Sequence, residues 1–169
     1  MTMNEFPEIC RIAREDEPAI LALNNEHARE LSWLDAERLS FLLGQAFHAR
    51  RIGRLEAFLM TFDQTADYDS PNYLWFRERY PRFVYVDRVV VAKSARGKGH
   101  ARRLYADLFA GAARSGHEVV TCEVNSEPPN PASDAFHAAL GFREVGEAAI
   151  HGGTKSVRYF ACPITSAGV

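Results

Sequence analysis

A chain of 169 residues with a formal net charge of −2 and 25% charged residues has the length for one substantial core and no basic surplus to attract nucleic acid. Its 47% hydrophobic content is that of a globular protein. No window is apolar enough for a membrane span and no basic-then-apolar leader opens the sequence, so a cytoplasmic protein of one domain, 1–169, is expected. Cys10, Cys122 and Cys162 are odd in number and far apart, which argues against a disulfide framework or a metal site.

In chain order, Ile9 to Ala13 reads as a short strand. Asp16 is placed to cap a helix from about Glu17 to Asn25, with Pro18 in its first turn. Asp35 starts a second helix whose apolar positions are Leu39, Leu42, Leu43 and Ala46. Residues 46–51 and 55–62 read as two strands about a turn at Gly53. Residues 61–82 are polar and broken by proline, yet hold Tyr68, Tyr73, Trp75, Phe76 and Tyr80. Such a segment suits a lid over an amine, a satellite core or a contact in a homodimer. A strand at 83–92, a helix at 98–115 and a strand at 118–125 follow. A helix from about Ser133 to Leu140 ends at Gly141, a residue suited to a C-cap. Residues 143–150 and 156–163 close the chain as an antiparallel pair about His151-Gly152-Gly153. The order β-α-α-β-β-β-α-β-α-β-β implies an α/β fold with a mixed sheet of about seven strands and helices on both faces.

Chemistry concentrates at Arg96-Gly97-Lys98-Gly99-His100-Ala101, between the 83–92 strand and a helix with Ala101, Leu104, Tyr105, Leu108, Phe109 and Ala112 on one face. A helix start presents unpaired N–H groups and the positive end of the helix dipole. Two glycines let the backbone approach an anion, and Arg96, Lys98, Arg102 and Arg103 add positive charge. A polyanion, a pyrophosphate above all, suits this turn. It is no Walker loop, because Ser or Thr does not follow Gly-Lys and the upstream glycine is missing. It is a poor dinucleotide fingerprint, because Arg102 stands where a small third residue is needed. It does fit Arg/Gln-x-x-Gly-x-Gly/Ala, read at Arg96, Gly99 and Ala101. One helix and one strand later comes Asn130-Pro131-Ala132-Ser133-Asp134-Ala135-Phe136-His137-Ala138-Ala139-Leu140-Gly141-Phe142. Together these resemble the acyl-CoA loop and the Asn-x-x-Ala-x-x-x-Tyr-x-x-x-Gly-Phe segment of the GNAT superfamily of N-acetyltransferases. His137 stands where that family usually has Tyr. The motifs cover 83 to about 145; elsewhere the likeness lies in the order of elements.

The resemblance implies a single GNAT-like domain in which strands 83–92 and 118–125 splay apart around the pantetheine arm of acetyl-CoA. The backbone of Val89, Val90 and Val91 would pair with the pantetheine amides. Arg96, Gly97, Lys98, Gly99, His100 and Ala101 would hold the pyrophosphate, Arg102, or else Arg96 and Lys98, would reach the 3′-phosphate, and Asn130 and His137 would lie along the cofactor. No metal is implied. The reaction would be transfer of an acetyl group to a primary amine of a small molecule, by direct attack in a ternary complex. A peptide acceptor, or a non-catalytic acyl-CoA sensor, are the alternatives.

The amine must lose a proton, the thioester oxygen needs a donor such as the Val91 amide, and the thiolate needs a proton. The resemblance places His137 as the acid; the competing role is packing beneath the cofactor. For the base, Asp87 and Glu123 are the carboxylates on the central strands. Asp87 shares a strand face with Val91 and is marginally preferred. A carboxylate in an apolar strand is costly unless paired, so a buried ion pair is the alternative for Asp87. Tyr85, on the same face, would line the amine site.

Overall fold

The computed structural model describes residues 6–165. Seven strands form one mixed sheet, in the order β1-β2-β3-β4-β5-β7-β6, flanked by helices. In chain order the elements are β1 (Ile9–Arg11), α1 (Glu17–Glu26), α2 (Ala36–Gln45), β2 (His48–Ile52), β3 (Ala57–Asp63), α3 (Pro71–Arg77), β4 (Phe83–Val91), α4 (His100–Arg114), β5 (Val119–Asn125), α5 (Pro131–Leu140), β6 (Arg143–Ile150) and β7 (Lys155–Pro163). The expected fold class is found, with one more helix, α3. That helix lies in the aromatic segment, where Pro71 at a first-turn position opens it.

Local causes are plain at several boundaries. The Asp35 side chain accepts the Arg38 N–H at 2.7 Å and caps α2. Asn130 does the same for α5, accepting the Ser133 N–H at 3.1 Å. Gly141 ends α5 in the left-handed region at φ 96°. Asp16 departs from the expected pattern. Its carboxylate turns back to the Ala13 N–H at 2.8 Å and meets Arg51 Nε at 2.8 Å, so it closes the short 3-10 turn before α1 instead of capping α1. Burial alone would raise the Asp16 pKa, but the Ala13 amide and the Arg51 guanidinium outweigh it and hold it below its ordinary value.

The residues divide into two compact units. The first comprises the chain up to Phe62 together with Asp87–Leu108. Its core is Ile20, Leu39, Leu42, Ile52, Phe58, Leu59 and Leu104, all essentially closed to solvent. The second comprises Asp63–Val86 and the chain from Phe109 onward. Its core is aromatic: Tyr73, Phe76, Phe83, Tyr85 and Tyr159. Here β4 pairs with β5 in parallel from Phe83↔Val119 to Tyr85↔Thr121. The β5–β7 ladder is antiparallel and runs from Val119↔Pro163 to Asn125↔Val157.

Candidate active site

In the first unit, β4 delivers the chain through Val91 and a short 3-10 turn at Lys93–Ala95 into the 96–99 turn. Gly97 and Gly99 have φ of 76° and 77°, values an L side chain adopts only with strain. A Cβ on either would meet nothing within 4 Å, so conformation, not crowding, calls for glycine. Arg103 N–H donates to the Gly99 carbonyl at 3.1 Å, which opens the helical ladder of the 15-residue α4. Arg96, Gly97, Lys98, Gly99 and Arg102 are all exposed. The turn is therefore an open cradle of backbone amides with cations beside it.

His100 is not part of that exposed surface. Its side chain is 2% exposed, and Nε2 lies 3.5 Å from Glu56 Oε2. Neither ring nitrogen has a hydrogen-bond partner among the described residues. Ala101 is half-buried on α4. Arg103 Nη2 donates to the Pro7 carbonyl at 2.8 Å, so this cation ties the helix to the start of the chain.

Along β4, Val90 is buried while Val89 and Val91 are half-buried. Asp87 Oδ2 accepts from Arg88 Nε at 2.6 Å, and the two side chains are 5% and 4% exposed. The buried ion pair weighed for Asp87 is thus present, and its partner is the next residue, Arg88. Arg88 Nη1 in turn donates to Asn24 Oδ1 at 2.8 Å and reaches the Ser32 carbonyl at 3.4 Å. Asn24 Nδ2 donates to the same carbonyl at 3.1 Å. The Asn25 side chain clips the Leu34 peptide from both sides, at 3.0 Å to its N–H and 2.9 Å to its carbonyl.

In the second unit, Glu123 lies on β5 opposite Tyr159 of β7. Its Oε2 accepts from the Tyr85 hydroxyl at 2.6 Å, a short charge-assisted bond. Tyr159 donates to Asn72 Oδ1 at 2.9 Å. Burial first, and the Glu123 charge second, push its pKa up to about 12, so this phenol stays protonated near neutrality. Tyr159 was not singled out in the sequence. Only the strand register, with Tyr159 facing Glu123, marks it.

His137 is buried on α5, between Phe136 and Phe142 at 5.3 Å each and with Phe160 at 6.5 Å. Its Nδ1 lies 2.8 Å from the Ser133 carbonyl, which requires a proton on Nδ1. Burial lowers its pKa, although the Ser133 carbonyl and Asp134 pull the other way. The ring is therefore neutral near pH 7, with its one N–H already spent. Asn130 is exposed and serves as the α5 cap. Burial pushes the thiols of Cys122 and Cys162 upward, which leaves them poor nucleophiles.

The aromatic segment is pinned by its own packing. Tyr73 and Phe76 are wholly buried, and Trp75 stacks on Tyr159 at 4.3 Å. Arg79 covers the Trp75 ring at 3.9 Å. A β-bulge between Glu144 and Gly146 lets the Trp75 ring sit against Gly146.

Comparison with known proteins agrees with the fold. Residues 6–142 match the model of the Acetyltransferase (GNAT) family. The fold is similar to the ribosomal-protein-S18-alanine N-acetyltransferase of Escherichia coli, at 18% identity over 95% of this chain and 96% of that one, TM-score 0.69. It is similar to yncA of Salmonella typhimurium, solved with its cofactor acetyl-CoA, at 19% identity over 96% of both chains, TM-score 0.70. It is also similar to Naa20 of Chaetomium thermophilum, solved with a bisubstrate analogue, at 20% identity over 93% of this chain and 86% of that one, TM-score 0.70. No curated protein matches the sequence. The chain belongs to the GNAT family of acetyltransferases.

Proposed function

We propose that this protein transfers an acetyl group from acetyl-CoA to the primary amine of a small molecule in the cytoplasm, its two units forming one catalytic domain. The observation that carries this is the 96–101 turn: two glycines held at positive φ, opening a long helix, beside exposed Arg96, Lys98 and Arg102. Backbone amides of Gly97 to Ala101 would hold the pyrophosphate, the exposed cations would screen the phosphates, and Val89 to Val91 would pair with the pantetheine amides. Acetyl-CoA supplies the activated acyl group; the amine nitrogen attacks the carbonyl carbon, the C–S bond breaks, and free CoA leaves.

Glu123 is our choice of base: it is half-buried on β5 and takes the Tyr85 hydroxyl, a neutral donor, whereas Asp87 is closed in a pair with the Arg88 cation. The proton that the amine gives up passes to Glu123 directly or through water. The thiolate is a tolerable leaving group, since a free thiol has a pKa near ~8.5, and water can return its proton. His137, neutral and with its N–H engaged, suits packing better than the acid role. The same state of His137 favours the second reading, an acyl-CoA sensor with little turnover. Titration calorimetry with acetyl-CoA, beside release of free thiol across a panel of amines, tests both. Binding with turnover supports the enzyme; binding without turnover on any amine supports the sensor; absence of binding overturns both.

A further inference from the structure

Trp33 is 65% exposed, in the segment between α1 and α2. A single exposed aromatic is ordinary, but both of its neighbours are fastened. The Ser32 carbonyl takes donors from Asn24 and Arg88, and the Leu34 peptide is clipped by Asn25. Leu34 is buried at 4%. On the Ser32 side the fastening leads back to a closed ion pair on β4, Asp87–Arg88, and on the Leu34 side to Asn25 of α1, so the backbone on both sides of Trp33 is held.

The place of that anchor matters. If the 96–101 turn holds the pyrophosphate, an extended arm running back along β4 at roughly 3.3 Å per residue passes Val91 to Val89 and ends beside residue 88. Arg88 is one of the residues that hold the Trp33 segment, through Asn24 and the Ser32 carbonyl. An exposed indole on a backbone segment held from that part of β4 is placed to meet the acceptor. Its face favours a flat apolar or aromatic group.

Resting on the acetyltransferase reading, we propose that Trp33 is a specificity-determining residue that stacks on an aromatic group next to the reacting amine. Asp87, Arg88 and Asn24 are positioning residues that hold it there. Phenethylamine should then be preferred over n-butylamine by tenfold or more in kcat/KM, read as thiol release from acetyl-CoA.

Trp33→Ala should abolish that preference and leave the acetyl-CoA KM within about twofold. Asn24→Asp keeps a partner for Arg88 but gives up the donors to Ser32 and Asn25, so it should weaken the preference severalfold, read below the variant's lowered melting temperature. Equal rates for the two amines in the wild type, acetylation of neither by a protein that binds acetyl-CoA, or an unchanged preference in Trp33→Ala would each overturn the proposal. Loss of a dimer in Trp33→Ala, with the preference intact, would overturn it too and make the indole a contact between copies. Failure to bind acetyl-CoA would instead remove the reading on which it rests.

Discussion

The 96–99 turn of the first unit and the aromatic, carboxylate-bearing core of the second are built on opposite principles. In the turn, positive-φ glycines and a helix start set the path of the backbone, and Arg96 and Lys98 are exposed. In the second unit, the side chains of Tyr85, Glu123 and Tyr159 are fixed by partners far away in sequence. A site made of backbone is written in consecutive residues. A site made of side chains is written in a register that only folding supplies.

The sharpest way to break this contrast is Gly99→Glu. At φ 77° any side chain costs about 1–2 kcal/mol of backbone strain, and this one also sets a negative charge against the expected pyrophosphate. Acetyl-CoA binding should fall by at least about a hundredfold, roughly 2.7 kcal/mol, with the circular dichroism spectrum retained. A Kd within threefold of wild type would mean that the turn is not the anion site.

Next in size is the pair of carboxylates. Glu123→Gln should cost about two to four powers of ten in kcat and remove the acidic limb of the pH–rate profile. Asp87→Asn should do something else. It strands the Arg88 charge in a closed site, where breaking a buried pair costs about 3–5 kcal/mol. A lowered melting temperature with the acidic limb retained is therefore expected. If Asp87→Asn removes the limb and Glu123→Gln does not, the base has been assigned to the wrong strand.

These two residues also show what could be read in advance. The 96–101 turn and the stop at Gly141 follow from local conformational rules, and each is where the sequence puts it. The preference for Asp87 over Glu123 rested on alternation along one strand. Alternation gives the face of a side chain but not its partner, and the partner turned out to be the adjacent Arg88. The α3 helix was hidden for a related reason. Seven residues give too few turns for a periodic signal, and its anchor is a glycine about seventy residues away.

That anchor gives the third test. A Cβ at Gly146 would stand 2.5 Å from Trp75 Cζ2, so Gly146→Ala must push the indole off Tyr159. Overpacking of this kind costs about 1–3 kcal/mol, seen as a fall of several degrees in melting temperature. The double variant with Trp75→Ala should show less than the sum of the two losses, because the clash goes with the ring. Additive losses would mean that the two residues do not share the slot.

The smallest effect expected is at His137, and its sign is fixed by burial. The ordinary histidine pKa is 6.5, and in the folded protein it is lowered. Between that ordinary value and the lowered one the unfolded chain binds more protons than the folded one, so stability falls as the pH drops through this window. Above the window the ring is neutral in both states and the contribution vanishes. His137→Phe removes the titrating group and keeps an aromatic ring against Phe142. The stability lost between pH 7.5 and pH 5 should therefore be smaller in the variant than in the wild type, as read from urea unfolding at the two pH values. Turnover at pH 7.5 should change little, since the neutral imidazole has no proton to spare beyond the one given to Ser133. A variant with wild-type pH dependence would show that the ring is not held neutral by burial. A variant that keeps its stability at pH 7.5 and loses turnover by tenfold or more would restore His137 as the acid.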